Sequence, residues 1–272
     1  MTVPQQQSAN REAPLRSRES GGRRRPAPIV VPVLYKDEAV VLRTMRLGEA
    51  DRIVTFVGRG QGKIRAVAKG VRKTKSRFGG RLEPFTQVSL VMWRGRSDLD
   101  IVTQAEAVES FRGVREDLER FALGQVMLEA VDRVVQEKEP SPRVFNLLLE
   151  GLRGLGASGS PLVLAWFLLR LSAVAGFAPS LRDCTECGAP AAWFSPGQGG
   201  AVCGGCRSPQ AVEVRPGVMK LLHDLVVEGA WMKTDPEVVA AAAGLARSYA
   251  EYHLERRLRA VAAGAALVQR PR

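Results

Sequence analysis

Four cysteines fall in two pairs, Cys184 with Cys187 and Cys203 with Cys206, and the spacing is C-x2-C, fifteen residues, C-x2-C. Two close thiolate pairs, each on a tight turn and joined by a hairpin, are what one tetrahedral zinc ion requires. The turns have suitable residues. Gly188 follows the first pair, and Gly204 and Gly205 lie inside the second, so the backbone can bend sharply at both. Ala191 to Phe194 and Ala201 to Val202 are predicted to pair as short strands around the turn Ser195 to Gly200. Two disulfides in a secreted domain are the alternative, and a redox C-x-x-C pair a remoter one. The N-terminus does not resemble a signal peptide, and cytosolic thiols stay reduced, so one structural zinc ion is expected.

The second chemistry is cationic. From Gly58 to Leu82 the chain carries Arg59, Lys63, Arg65, Lys69, Arg72, Lys73, Lys75, Arg77 and Arg81 and no acid. In a strand, alternate side chains share a face. Lys63, Arg65 and Lys69 therefore project together with Val67, opposite Ile64, Ala66 and Ala68. The stretch Val71 to Arg81 reads as a flexible basic loop in which Phe78 is available to stack on a base. A solvated charge run is the bland explanation. A strand face and an adjacent loop of the same sign point instead to phosphate binding. Arg256, Arg257 and Arg259, with His253, make a smaller basic cluster, either a secondary nucleic-acid contact or a solvated face.

Catalytic patterns are missing. Gly58-Arg59-Gly60-Gln61-Gly62-Lys63-Ile64 has the outline of a phosphate loop, but its glycines stand one residue too close and Ile64 replaces the Ser or Thr that would hold magnesium. A hairpin turn explains it. The two histidines, His223 and His253, are isolated, and there is no H-E-x-x-H or G-x-S-x-G. No enzyme is expected.

The elements that must position these groups come in two textures. Short period-two runs at about Lys36 to Thr44, Arg52 to Val57, Lys63 to Ala68, Thr86 to Trp93 and Asp100 to Ala107 predict five strands. Five strands in so short a span suit an OB-fold (oligonucleotide-binding) barrel, with an SH3-like barrel or half-open sandwich left open by counting alone. After Gly113 the period becomes helical: Leu118, Phe121, Leu128, Val131 and Val135 share a face. Ser141-Pro142 and Ser160-Pro161 each read as a cap followed by proline at the first helical position. Further helices are expected from about Pro216 to Val227 and from Asp235, with Val238, Ala242, Leu245, Tyr249 and Leu258 on one side. The expected organisation is a disordered basic tail at 1–33, the barrel at 34–112, helical segments at 113–180 and 208–272, and the zinc ribbon inserted at 181–207.

Charge placement agrees with that division. The net charge is +12; residues 1–34 hold six Arg against two Glu, 35–112 hold sixteen Lys and Arg against nine acids, and 113–272 hold eighteen against seventeen. The excess sits in the N-terminal third, as a nucleic-acid contact surface would have it. Pro161 to Ala178 is the most apolar stretch, but Arg170 interrupts it and Gly176 and Pro179 close it, so a buried helix is expected and no membrane partner.

With these parts in order, the chain resembles the RecO family of recombination mediators over nearly all of 35–260. The residues that carry the likeness are Glu38-Ala39-Val40-Val41-Leu42, Gly48-Glu49-Ala50-Asp51, Gly62-Lys63, Ala68-Lys69-Gly70-Val71-Arg72, Lys75-Ser76-Arg77, Leu82-Glu83-Pro84-Phe85, and Gly176-Phe177-Ala178-Pro179 ahead of the two cysteine pairs. The resemblance implies a non-enzymatic DNA repair protein of the bacterial cytoplasm, associated with the nucleoid during repair. It implies binding of single- and double-stranded DNA and annealing of complementary strands. It also implies work with RecR, and often RecF, to load the recombinase onto DNA coated by single-strand-binding protein, whose C-terminal tail is a further partner. Some relatives lack the cysteines, so zinc is expected to hold a subdomain and not to catalyse. The arginine-rich extension before Ile29 exceeds what the family core needs. Rival readings from the residues are an RNA-binding module of the translation apparatus, a DNA ligase, against which stands the absence of K-x-D-G, and a protein-binding scaffold.

Overall fold

The computed structural model describes residues 33–95, 97–229 and 235–254. The predicted tail, apart from Val33, and Arg256, Arg257, Arg259 and Leu258 lie outside the described residues.

Five strands close into a barrel of order β1-β2-β3-β5-β4: β1 Val33–Leu47, β2 Asp51–Gly58, β3 Gly62–Ala68, β4 Thr86–Arg94 and β5 Asp100–Ser110. This is the OB-type arrangement. β1 is long enough to serve both ends of the sheet. Residues 33–40 pair antiparallel with β4 and residues 39–47 with β2, and a register shift between Val41 and Arg43 bends the strand from one partner to the other. A short parallel contact, Ala66 with Asp100 and Val67 with Ile101, closes the cylinder. The interior is filled by alternate residues such as Ala39, Val41, Val54, Phe56, Ile64, Ala66, Leu90 and Met92. Near the seam, Tyr35 donates to Asp100 at 2.5 Å while the Arg94 guanidinium lies over the Tyr35 ring. Burial, then the Asp100 carboxylate, push the Tyr35 phenol well above its ordinary range.

The helical body follows: α1 Arg112–Arg115, α2 Leu118–Val134, α3 Pro142–Ser158, α4 Pro161–Val174, α5 Val218–Glu228 and α6 Pro236–His253. α4 is its axis. Val163, Trp166, Phe167 and Leu171 enter one core with α2 and α3, while Leu162, Ala165 and Leu169 enter a second with α5 and α6. A helix apolar on nearly all sides must be buried, which is why so greasy a segment sits inside the protein. Among the described residues no helix is long and apolar enough to cross a membrane. Arg170 escapes to the surface, donating to the Val226 carbonyl at 2.8 Å.

Two local expectations change. Ser160 caps α4 by accepting from the Leu162 N–H, but Ser141 makes no side-chain cap; its hydroxyl turns back to the Glu139 carbonyl. Leu118 is exposed, because it opens α2 beyond the reach of the core that takes Leu128 and Val131.

Candidate nucleic-acid interface and metal centre

Strand β3 carries Lys63 and Arg65, and its alternation is as the sequence predicts: Ile64, Ala66 and Ala68 are buried, while Lys63, Arg65 and Val67 point outward. Their surroundings differ from the prediction. The β2–β3 hairpin is docked on the linker after α2, where the Lys63 N–H donates to the Gln136 carbonyl at 2.9 Å. Gly62, at φ +65°, leaves no room for a Cβ against the Glu139 carbonyl. That approach brings acids to the strand. Asp132 lies 3.2 Å from the Lys63 ammonium and 2.9 Å from Arg43, and Glu137 lies 3.8 Å from Arg65. Arg59 pairs with Glu38 at 3.2 Å and rests over the Phe145 ring. The expectation of nine cations without a counter-ion is therefore corrected. Arg59, Lys63 and Arg65 join the barrel to the helices or to itself, and no local pattern could have disclosed acids some seventy residues away.

The hairpin tip itself is held by Asp37, which accepts from the Gly60 and Gln61 N–H groups at 3.0 Å each. Burial raises the Asp37 carboxyl, and these backbone bonds oppose the shift. It is a turn, not a phosphate loop.

Beyond Ala68 the picture reverses. Lys69, Arg72, Lys73, Lys75, Arg77 and Arg81 are exposed, and among the described residues none has an acid within ion-pair distance. The loop that bears them is pinned to the β1–β2 turn. The Gly70 N–H donates to Asp51 at 2.7 Å, the Arg72 N–H to the Ala50 carbonyl at 3.0 Å, and the Arg72 guanidinium to the Gly48 carbonyl at 3.1 Å. Phe78 corrects a second expectation. Its ring is 1% exposed and, with Leu82, fills the end of the barrel, so it is not free to stack on a base. An aromatic ring gains more from that apolar cavity than from solvent. Arg77 lies across the ring and Arg81 donates back to the Arg77 carbonyl at 2.9 Å. The cations thus ride on a plug.

The four cysteines are gathered by a small sheet of β6 Trp193–Ser195, β7 Gly200–Val202 and β8 Val212–Glu213, in order β7-β6-β8. The predicted hairpin is present, and β8 is an addition. The Cys184, Cys187, Cys203 and Cys206 sulfurs all lie within 4.8 Å of one another, with Cys187 and Cys203 3.7 Å apart. A tetrahedral zinc with bonds of about 2.3 Å needs sulfurs about 3.8 Å apart, so the donor set fits a metal ion and is compatible with zinc. Backbone N–H groups aim into the cluster. The Cys203 N–H holds the Cys184 thiol down to about 6, and the Cys206 N–H lowers Cys203. Its hydrogen bond with Cys203 pushes Cys206 up to about 12. Four thiols this close resist full ionisation without a cation among them.

Second-layer contacts fix the knuckles. Gln198 donates to the Cys206 carbonyl and accepts from the Ser208 N–H, both at 2.9 Å, and Arg207 lies over Trp193 at 4.0 Å. The apolar content is slight, with Cys184, Val202 and Ala211 buried. Phe194 ties the ribbon to α6, its ring 5.8 Å from Tyr249. His253, assigned by sequence to the second basic cluster, stacks on Phe177 at 4.8 Å and touches Tyr249 and Tyr252. Burial lowers its pKa.

An OB-type barrel with a cation-bearing plug, set on a helical body that carries a four-cysteine ribbon, defines the class. Comparison with known proteins gives the family: residues 33–111 match Recombination protein O N terminal and residues 115–262 match Recombination protein O C terminal. The chain belongs to the RecO family. It is 47% identical over 242 residues to a DNA repair protein RecO of a Nocardioides species, spanning 85% of this chain and 98% of that one. It is 46% identical over 238 residues to that of Frankia casuarinae, spanning 84% and 97%, and 43% identical over 242 residues to that of Streptomyces coelicolor, spanning 84% and 97%.

Proposed function

We propose that this protein is a DNA repair and recombination mediator that holds single- and double-stranded DNA on Lys69, Arg72, Lys73, Lys75, Arg77 and Arg81. Arg59, Lys63 and Arg65 are retained as contributors only through the field they add, since acids already neutralise them. The observation that carries the reading is the contrast between these two sets: among the described residues, one end of the barrel keeps six cations without an acid partner while its flank does not. Phosphates bound there release counter-ions, so affinity falls steeply with salt and depends little on sequence. Two strands neutralised on one surface repel each other less, and base pairing can begin.

Annealing, cooperation with RecR and RecF, and docking of the single-strand-binding protein tail belong to the same proposal, supported by family membership. So do a role for Arg256, Arg257 and Arg259 as a secondary DNA contact, one structural zinc on Cys184, Cys187, Cys203 and Cys206, and action in the cytoplasm at the nucleoid. No bond-making chemistry is proposed.

The test is the double reversal Lys69→Glu with Arg72→Glu. It should weaken binding to single and double strands alike and flatten the logarithmic salt dependence by about two units, on the order of 0.7–0.9 per phosphate contact. Unchanged affinity at low salt refutes the surface. Competition between DNA and RNA oligonucleotides separates this reading from a translation-factor role.

A further inference from the structure

The barrel's outer surface carries apolar side chains in unbroken cross-strand register. Met45 stands opposite Ile53, Ile53 opposite Val67, Val67 opposite Ile101, Ile101 opposite Trp93, and Trp93 opposite Leu34. All five strands contribute. Each of these residues has the outward parity of its strand, since Val54, Ala66, Val102 and Met92 beside them face the interior. Leu34 is 61% exposed, Met45 49% and Trp93 38%, and the other three are half-buried. None belongs to any of the four apolar clusters formed by the described residues. On the same outward face of β1 and β2, by contrast, Val40 and Val57 are covered by the helical core. So the belt, uncovered among the described residues, winds across the barrel from Met45 beside the β1–β2 turn to Leu34 at the start of β1.

Its stretch from Met45 through Ile53 to Val67 adjoins the cationic loop, and Ile101 and Trp93 continue it sideways. Lys69 follows Val67 by two positions, just past the end of β3, about 7 Å along the chain. Arg72 is anchored to Gly48 and Ala50 of the β1–β2 turn, which follows Leu47 directly. The acids there are few: Asp51 is occupied by the Gly70 N–H, Glu83 by Arg52, and Glu49 and Asp98 remain. A ligand that suits the place has negative charge on one edge and flat apolar surface on the other.

We infer that the belt is a base-binding platform for single-stranded DNA: unstacked bases lie against Trp93 and the aliphatic residues of the belt while their phosphates meet the loop cations. The inference rests on the proposed DNA-binding loop and deepens it. It supplies the stacking partner that a buried Phe78 cannot. It also gives single strands a contact that duplex, with its bases paired inside, does not make.

The test compares single-stranded and duplex oligonucleotides of one sequence against full-length Trp93→Ser, Met45→Ser and Trp93→Phe variants over a salt series. Trp93→Ser should weaken single-strand binding about tenfold. Met45→Ser should act in the same direction, and Trp93→Phe should restore binding. Duplex affinity and the salt slope should stay as in the parent. If Trp93→Ser fails to fold, Leu34→Ser carries the comparison. Equal losses on both DNA forms, or no loss on either, overturn the platform. So does a change confined to self-association in sedimentation, which would make the belt an interface between copies. Failure of the loop alone is distinguishable: the Lys69→Glu, Arg72→Glu protein would then keep its duplex affinity while Trp93→Ser still loses single strands.

Discussion

Replacing Phe78 with alanine tests whether the basic loop is a mobile arm or the lid of a packed barrel. The ring is 1% exposed among the apolar residues of the barrel interior. An aromatic side chain buries about 150–250 Å², worth about 4–6 kcal/mol at ~25 cal/mol per Å². Alanine retains part of that, and observed large-to-small costs for phenylalanine are about 3–5 kcal/mol. In a protein of this size that corresponds to a fall in melting temperature on the order of 10 °C. Phe78→Leu, which keeps most of the volume, should cost less than half as much. The assay is thermal unfolding followed by circular dichroism, with single-strand affinity measured well below the melting point. A melting temperature within about 2 °C of the parent, together with a tenfold loss of single-strand affinity, would show the ring facing DNA and refute the plug.

Three further outcomes are expected. Asp132→Ala strips the partner from Lys63 and Arg43 and should cost about 1–3 kcal/mol in denaturant unfolding, whereas Arg153→Ala, which breaks the exposed 2.6 Å pair with Glu109, should cost less than about 1 kcal/mol. Metal removal by chelation, or Cys184→Ser, should raise amide exchange across 180–214 and leave barrel exchange unchanged; a ribbon that stays protected without metal contradicts the fit of the four sulfurs. His253 has its pKa lowered by burial, so the unfolded chain binds the extra proton first: stability is full above about 6.5 and is lost as pH falls from there through the folded value. His253→Phe should keep the stack on Phe177 and show less loss between pH 7.5 and 5.5 than the parent in urea titrations.

Much was legible because it is local. The cysteine spacing, with glycines at the turns, marks the ribbon, since a metal site made of two knuckles needs only short-range geometry. Period-two runs mark the five strands, and Ile64, Ala66 and Ala68 against Lys63, Arg65 and Val67 mark the two faces of β3. The apolar run at Pro161 reads as a buried helix, and it is one. Where the sequence misleads, the reason is a contact from far along the chain. Asp132 and Glu137 neutralise Lys63 and Arg65 only because the hairpin docks on the linker after α2. Phe78 looks like an exposed ring in a basic loop, and nothing nearby in sequence says that the barrel end needs closing.

Residue types and their spacing thus determined the elements, the four-cysteine cluster and the sign of the charge, because strand alternation, helical period and knuckle turns are set within a few residues. Which cations stay unpaired, which ring fills the barrel, and that Met45, Ile53, Val67, Ile101, Trp93 and Leu34 meet edge to edge were decided only when five strands closed and a helix linker came against one hairpin. Coulomb attraction and apolar burial act through space at a few ångströms, and the chain alone does not state which distant groups will come that close.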